Sequence, residues 1–180
     1  MSECSIRILP SPAIALVMAR KGQCAAAAAA AAAENAVGTP LPALPRTVRA
    51  GELEFLWCGP ERWLVLAPAE LATAAGGIES LLSPVFVNTA SVAEQSGSRV
   101  LVEVAGSKAR EILARSLPVD LHPRAFGPGH TALCRANYVS LQIWQASPEP
   151  AFVLALPRSH AAGFHHSLLG TAASCGVGEA

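Results

Sequence analysis

The sequence predicts an α+β protein built from two split βαβ-type halves, each with a mainly antiparallel sheet. Short runs in which apolar residues alternate with other residues are typical of strands. Segments with helical propensity or helical spacing lie between those runs. The order strand, helix, two strands, then a further strand and helix occurs twice. We therefore expect one domain over residues 1–180, with pseudo-repeat halves at about residues 13–89 and 98–176.

The first half begins with a β-type run and continues into an alanine tract, which predicts a helix because alanine has the highest helix propensity. A segment with three prolines can form neither a helix nor a paired strand, so a loop follows. Two alternating runs around a Cys58-Gly59-Pro60-Glu61 turn predict a hairpin. The predicted elements are a strand at 14–18, a helix at 23–37, a loop at 38–45, strands at 53–57 and 63–67, a helix at 69–82 and a strand at 84–88. Residues 88–98 are polar and turn-rich and mark the midpoint.

The second half repeats this pattern with clearer helical signals. Ser107 is the expected N-cap of a helix, and Ser159 is the expected N-cap of the last helix. The apolar positions expected on the two helices are Ala109, Ile112, Leu113 and Leu117 on the first and Ala162, Phe164, Leu168 and Leu169 on the last. The predicted strands cover residues 100–104, 131–135, 138–144 and 152–156, with a tight turn at Ala136-Asn137 between the second and third.

Charge and composition favour a protein that binds other proteins. The chain has 13 basic and 13 acidic residues, which argues against a nucleic-acid partner because such binders carry a basic face. Lys21 and Lys108 are its only lysines. A surface rich in arginine and poor in lysine is compatible with a buried interface. The 52% of hydrophobic residues can form a core and leave apolar surface for a partner.

The cysteines and the N-terminal segment predict a cytoplasmic protein. The five cysteines are widely spread and form no zinc or redox spacing, so we expect free thiols in a reducing compartment. Pro10 and Pro12 interrupt the N-terminal apolar run, and basic residues follow it, which does not fit a signal peptide. No apolar segment is long enough to cross a bilayer, so no membrane partner is expected.

Asp120 and His122 are the first candidates for chemistry. They flank Leu121 in an extended segment bracketed by prolines, and on a strand they would share a face as a carboxylate–imidazole pair. The alternative is that Asp120 binds loop amides and His122 packs against Pro123. We favour this loop-shaping interpretation because no nucleophile motif accompanies the pair.

The remaining motifs give no catalytic or metal site. His160, His165 and His166 are five, six and one residues apart, so they do not share the helical face that a metal pair needs. We interpret them as surface or interface histidines. Trp63 beside the hairpin turn is expected in the core. Glycine-rich nucleotide loops and a GxSxG elbow are missing from the sequence. We therefore predict no catalytic and no metal-binding residue, and assign no cofactor-binding residue.

Four segments in order carry a family resemblance. They are LWCGPERWLVL at residues 56–66, VAGSKAREIL at 104–113, LPVDLHPRAF at 117–126, and Arg158-Ser159 at the start of the last helix. Their order and spacing resemble the gamma subunit family of heterotetrameric sarcosine oxidases. The resemblance implies a fold similar to the folate-binding aminomethyltransferase-like domains and a non-catalytic, structural subunit.

The resemblance also implies the surrounding complex. Such a complex demethylates sarcosine oxidatively to glycine in sarcosine catabolism and produces hydrogen peroxide. The one-carbon unit leaves as formaldehyde or passes to tetrahydrofolate. The alpha, beta and delta subunits would be the partners, and FAD, FMN, NAD, zinc and tetrahydrofolate would lie on those subunits. A chain of this kind expressed alone is expected to aggregate or dimerise.

Three alternatives stay open from the sequence. A stand-alone folate-binding or one-carbon-transfer protein would need a carboxylate for the pterin, and Asp120, Glu103 and Glu94 are the candidates. The equivalent subunit of an N-methylglutamate dehydrogenase would have a similar sequence. An α+β scaffold of unrelated function is the third.

Overall fold

The computed structural model describes residues 4–20 and 24–177. In chain order, the elements are β1 (Ser5–Ile8), β2 (Ala13–Ala19), α1 (Ala25–Val37), β3 (Thr47–Ala50), β4 (Leu53–Trp57), β5 (Arg62–Ala67), α2 (Ala69–Ala74), α3 (Ile78–Leu82), β6 (Ala90–Glu94), β7 (Arg99–Ala105), α4 (Ala109–Ser116), β8 (Thr131–Ala136), β9 (Val139–Ser147), β10 (Ala151–Pro157) and α5 (Arg158–Ser174). The chain forms two compact units. The first unit is Ser11–Gly97, and the second is Met1–Pro10 with Ser98–Ala180.

The first unit contains a five-stranded sheet in the order β3-β4-β5-β2-β6. Its helices cover one face, where Phe55, Trp63 and Ile78 are buried in a common core. The alanine tract forms α1, and Ala29 and Ala33 are fully buried on its inner face. Methyl side chains allow a helix to approach neighbouring residues closely, so a helix of low amphipathicity still contributes to this core.

The second unit contains a five-stranded sheet in the order β1-β7-β10-β9-β8. Helices α4 and α5 contact each other, and α5 also contacts β7 and β10. Ile112 and Leu113 from α4 join Phe164 and Leu168 from α5 in one buried cluster. Alternation along β7 buries Val100, Val102 and Val104 in the same cluster, as a strand with one face toward helices requires.

The two sheets share one strand order. In the first unit, the interior strand β2 leads through α1 into three successive strands, and the interior strand β7 leads through α4 into three strands in the second. Every strand pair among the described residues is antiparallel. The predicted α+β class with two antiparallel sheets is confirmed. The outer strand beside β2 is β6 from the end of that unit, whereas the strand beside β7 is β1 from the chain's N-terminal segment.

Three predictions about the first unit need correction. The predicted helix at 69–82 is two helices, because Gly76 and Gly77 adopt φ values of 80° and 118° that end α2 before α3 begins. The predicted strand at 84–88 is wrong, since these residues form turns and Asn88 has φ 62°. The strand is instead β6, within the segment expected to be turn-rich. It pairs with β2 along its length, and this pairing rather than an apolar pattern makes it a strand.

Both predicted N-caps are wrong. Lys108 and Pro157 occupy the N-cap positions of α4 and α5, and neither makes a side-chain capping bond. Ser159 lies within α5, where its Oγ is 2.9 Å from His160 Nδ1. The inner face of α5 also differs from the prediction, because Ala161 and Ala172 are buried beside Phe164 and Leu168.

The other predicted element boundaries agree more closely with the structure. Residue 23, predicted as the first residue of the alanine helix, lies outside the described residues, and α1 extends to Val37 as expected. The β8–β9 turn is at Asn137-Tyr138, one residue later than predicted, with φ values of 47° and 67° that match a two-residue hairpin turn. Strands β1 and β3 were not predicted. Within residues 4–20 and 24–177, no helix combines the length and apolarity needed to span a bilayer.

Candidate functional site

The loop of residues 117–130, here called the 117–130 loop, connects α4 to β8 and contains the Asp120-Leu121-His122-Pro123 motif. Two apolar side chains attach it to the core, since Leu121 and Phe126 are 3% and 5% exposed. Between them the chain turns outward, and the amides of Ala125 and Phe126 both donate to the carbonyl of His122, at 2.8 and 2.9 Å. The loop therefore has fixed inner attachments and an exposed crest.

Arg110 on α4 holds the inside of this loop. Its guanidinium donates to the carbonyl of Leu121, to the carbonyl of Phe126 at 3.0 Å and to Gln145 Oε1 at 2.8 Å. Its Cζ lies 4.9 Å from the centre of the Phe152 ring, a cation–π contact. Burial lowers the pKa of Arg110. The three acceptors are uncharged, so the guanidinium acts here as a multidentate anchor for the loop backbone.

Gln145 on β9 secures the far end of the loop. Its side chain is 2% exposed, and its Nε2 donates to the carbonyl of Ser147 at 2.7 Å. Its backbone amide donates to the carbonyl of His130 at 3.2 Å, and its own carbonyl accepts from Gly129 at 3.3 Å. A buried amide that satisfies its donor and its acceptor in this way fixes a local conformation. One residue thus joins Arg110, the end of the loop and the sheet.

Asp120 and His122 do not form a side-chain pair. Asp120 Oδ1 accepts from the amide of His122 at 2.9 Å, and His122 Nδ1 accepts from the amide of Arg124 at 3.2 Å. The main-chain bond proposed for Asp120 is present. The ring of His122 likewise accepts a main-chain bond, a role that the sequence interpretation did not include. Both side chains are exposed and shape successive turns of the crest.

The other histidines do not come together as a site. His160 and His166 are exposed and His165 is half-buried on α5. His130, which the sequence interpretation did not single out, accepts from the amide of Gly127 at 2.6 Å and lies 5.8 Å from Phe126 between ring centres. Across residues 4–20 and 24–177, no three histidine, cysteine or acidic side chains are grouped closely enough to hold a metal ion.

The two other carboxylates considered for a pterin have different surroundings. Glu103 on β7 forms an ion pair with Arg7 on β1 at 2.6 Å. Glu94 borders an open cleft of about 470 Å³ in the first unit, together with Thr73, Gly77 and Ser96. The cleft has the volume of a small-molecule pocket, although a pocket also needs polar groups that converge on one ligand. Glu94 belongs to the first unit, whereas Asp120 and Glu103 belong to the second.

Trp63 is a core residue, as predicted. It is 3% exposed, and its Nε1 donates to the carbonyl of Pro42 at 2.8 Å. The described cysteines are free thiols. Burial raises the pKa of Cys4, and it raises the pKa of Cys134 to about 11. These two thiols are thus protonated near neutral pH, which makes them weak nucleophiles and weak metal ligands.

Sequence reasoning missed the residues that organise the site. Arg110 entered only as part of the helix motif, and Gln145 was not considered. A usable signal was present, because Gln142 and Gln145 interrupt the otherwise apolar stretch 141–146 of β9, and both are 2% exposed. A polar residue in an apolar strand needs an internal partner, which points to a buried hydrogen-bond network.

Comparison with known proteins first defines the class. The chain is similar in fold to a chain of the heterotetrameric sarcosine oxidase from Corynebacterium sp. U-96, solved in complex with pyrrole 2-carboxylate. The TM-score is 0.77 at 24% identity, and the match covers 98% of this chain and 87% of that one. The match shows a shared α+β fold, which in this chain contains two antiparallel sheets.

The family follows from the sequence match. The model of the sarcosine oxidase gamma subunit family matches residues 21–174, which include Arg110, Gln145 and the whole 117–130 loop. The chain belongs to the sarcosine oxidase gamma subunit family, as its motifs predicted.

Two curated relatives support this membership. Sarcosine oxidase subunit gamma of Corynebacterium sp. (strain P-1) is 32% identical over 123 residues, which is 67% of this chain and 58% of the relative. The protein of the same name from Arthrobacter sp is 33% identical over 128 residues, which is 66% of this chain and 58% of the relative. The matched region thus spans a little over half the length of either relative.

Proposed function

We propose that this chain is a structural gamma subunit of a heterotetrameric sarcosine oxidase. The observation that carries the proposal is the family match over residues 21–174, supported by relatives named as gamma subunits of that enzyme. The complex would oxidise sarcosine to glycine with formation of hydrogen peroxide. The one-carbon unit would leave as formaldehyde or on tetrahydrofolate.

The geometry of the 117–130 loop supports a structural role. Arg110, Asp120, His122 and Gln145 all bind main-chain groups. Polar side chains engaged in this way hold a backbone in place and have little capacity left for proton transfer. We accordingly assign no catalytic residue to this chain.

Partners and cofactors belong to the same proposal. Alpha, beta and delta subunits would surround the chain in the cytoplasm, and FAD, FMN, NAD, zinc and tetrahydrofolate would be carried by those subunits. The chain itself would act as one domain of 180 residues with two similar halves. Low lysine content and balanced charge suit a surface covered by protein rather than by nucleic acid.

Co-expression tests this proposal. The tagged chain is produced together with the alpha, beta and delta chains of a sarcosine oxidase, purified through its tag, and assayed for peroxide with sarcosine and with N-methylglutamate. We expect all four chains in one complex and peroxide formation with sarcosine. A stable monomer that retains none of the other chains would overturn the proposal. Micromolar binding of tetrahydrofolate by the isolated chain would favour the stand-alone folate protein instead.

A further inference from the structure

The crest of the 117–130 loop is unusually well fixed for an exposed segment. Connections of about 12–15 residues without regular structure are uncommon in compact domains and are often functional. This connection is of that length and contains Pro118, Pro123 and Pro128, each of which restricts its own backbone. Arg110 and Gln145 fix the loop from inside. A surface ordered before binding loses less entropy when a partner covers it.

The crest presents hydrogen-bond donors to solvent. Because His122 Nδ1 accepts from the amide of Arg124, the neutral imidazole carries its proton on Nε2, which is free to donate outward. The guanidinium of Arg124 is exposed and forms no ion pair among the described residues. Asp120 is the single acidic residue of the loop, and its Oδ1 is used by the amide of His122.

The guanidinium of Arg110, beneath the crest, is positively charged like that of Arg124. Arg110 is bound by two carbonyls and an amide oxygen, so no carboxylate neutralises it. Three other arginines of the chain, Arg7, Arg49 and Arg115, are paired with glutamates. Counting Arg110 and Arg124 against Asp120, with histidine neutral, this region has two positive charges and one negative charge. Its exposed donors belong to His122 and Arg124, and they complement an acidic segment of a partner protein.

We propose that the crest formed by His122, Pro123 and Arg124 is a docking surface for an acidic segment of one of the larger subunits. This inference rests on the proposed function and adds the surface and the chemistry of the contact. Carboxylates of the partner would accept from Arg124 and from His122 Nε2, and the prolines would exclude water around them. Arg110 is a positioning residue in this contact, because it fixes the backbone that carries both donors.

Charge reversal in the co-expressed complex tests the docking surface. The double variant His122→Glu/Arg124→Glu is compared with Arg46→Glu, which reverses an exposed arginine in the proline-rich loop of the first unit. We expect the double variant to retain about tenfold less of the larger subunits than the wild type, and to lose them at lower NaCl concentration. Arg46→Glu should retain them as the wild type does. Thermal unfolding of each variant confirms that the fold is kept.

The outcomes separate this inference from the proposed function. If the wild type captures the other subunits and the double variant captures them equally well at every salt concentration, the docking surface is wrong and the proposed function stands. An equal loss with Arg46→Glu also overturns the docking surface, since the effect would then follow net charge alone. If the wild type captures no subunit, the proposed function itself fails.

Discussion

The two units use the same strand order but hold their proline-rich loops with different chemistry. In the first unit, the loop of residues 38–46 lies between α1 and β3, and the neutral indole of Trp63 donates to the carbonyl of Pro42. In the second unit, the 117–130 loop lies between α4 and β8, and the charged guanidinium of Arg110 donates to two loop carbonyls and to Gln145. The two loops occupy equivalent places in the chain order, but the side chain that anchors one makes a single hydrogen bond and the side chain that anchors the other makes three.

The number of donors explains the difference. An indole has one N–H, so it fixes one point of a short loop. A guanidinium has five donors in a planar fork and can fix several acceptors at once. The 117–130 loop is the longer of the two and has a crest that points into solvent, so it needs attachments on both sides of the crest. Leu121 and Phe126, whose carbonyls Arg110 binds, are those two points.

The helical segments that follow β5 in the first unit and β10 in the second also differ. In the first unit this segment is interrupted at Gly77, which has φ 118° and ψ 159°. In the second unit, α5 is continuous from Arg158 to Ser174 although Gly163 and Gly170 lie within it. A glycine therefore breaks a helix only where the surrounding backbone takes up a conformation that other residues avoid.

The largest loss of stability is expected when Arg110, the charged anchor of the 117–130 loop, is replaced. Arg110→Met keeps much of the side-chain volume but removes every donor, so three buried acceptors lose their partner. We expect the free energy of unfolding to fall by about 3 kcal/mol. Urea unfolding of the full chain measures it. Arg115→Met is the matched control, because its ion pair with Glu111 is exposed on the same helix and should change stability by less than about 0.5 kcal/mol. Equal midpoints for the two variants would contradict the anchoring role.

Removing the indole N–H of Trp63, the neutral anchor of the loop of residues 38–46, should lower stability by less. Trp63→Phe retains an aromatic ring in the core and leaves the carbonyl of Pro42 without its donor. We expect a loss of about 2 kcal/mol, combining one unmade hydrogen bond with a small cavity. The same urea experiment gives this number. A loss greater than that of Arg110→Met would reverse the comparison between the two loops.

The glycine comparison predicts effects of opposite sign. Gly77→Ala places a side chain at φ 118° and should lower stability by about 1.5 kcal/mol, although nothing lies within 4 Å of the added Cβ. Gly163→Ala also meets nothing within 4 Å, but it lies inside a regular helix, so we expect a gain of about 0.7 kcal/mol. Thermal unfolding of both variants measures the contrast. A gain at both positions would show that the break between α2 and α3 is not enforced by Gly77.

The smallest expected effect is a pH dependence of the outer strand β8. Burial raises the pKa of Cys134 on this strand from its ordinary value of 9.0 to about 11. Between these two values the unfolded chain has lost the proton that the folded chain keeps, so stability falls as the pH rises. Urea unfolding from pH 8 upward should decline more steeply for the wild type than for Cys134→Ala. Parallel curves would mean that the thiol ionises as readily in the folded chain. The equivalent strand β3 carries no thiol.

Much of the fold was predictable because it depends on local patterns. The alternation around Trp57 and Trp63 predicted the β4–β5 hairpin, and the alanine tract predicted α1. Strands β1, β3 and β6 were missed for the opposite reason. They are short strands at the outer edges of the sheets. Strands β1 and β6 are defined by pairing with β7 and β2, which are distant in sequence, whereas β3 has only four residues and pairs with the adjacent β4. The interruption at Gly76-Gly77 was only partly predictable, since glycine permits a left-handed backbone but does not require one.

The candidate site shows the same division. The sequence identified the Asp120-Leu121-His122-Pro123 segment and favoured a loop-shaping role for it, because that role depends on bonds between near neighbours. It did not identify the partners of Arg110, which lie 11 to 35 residues away along the chain. Contacts at that separation are set by the packing of α4 against the sheet.

The sequence by itself determined the α+β class, the β4–β5 hairpin and the family, because periodicity, propensity and ordered motifs are properties of the chain alone. Tertiary structure decided which strands lie at the sheet edges, where α2 ends, and that Arg110 rather than Asp120 or His122 is the central residue of the site. The physical reason is that the half-buried guanidinium of Arg110 takes its role from the carbonyls that folding places around it.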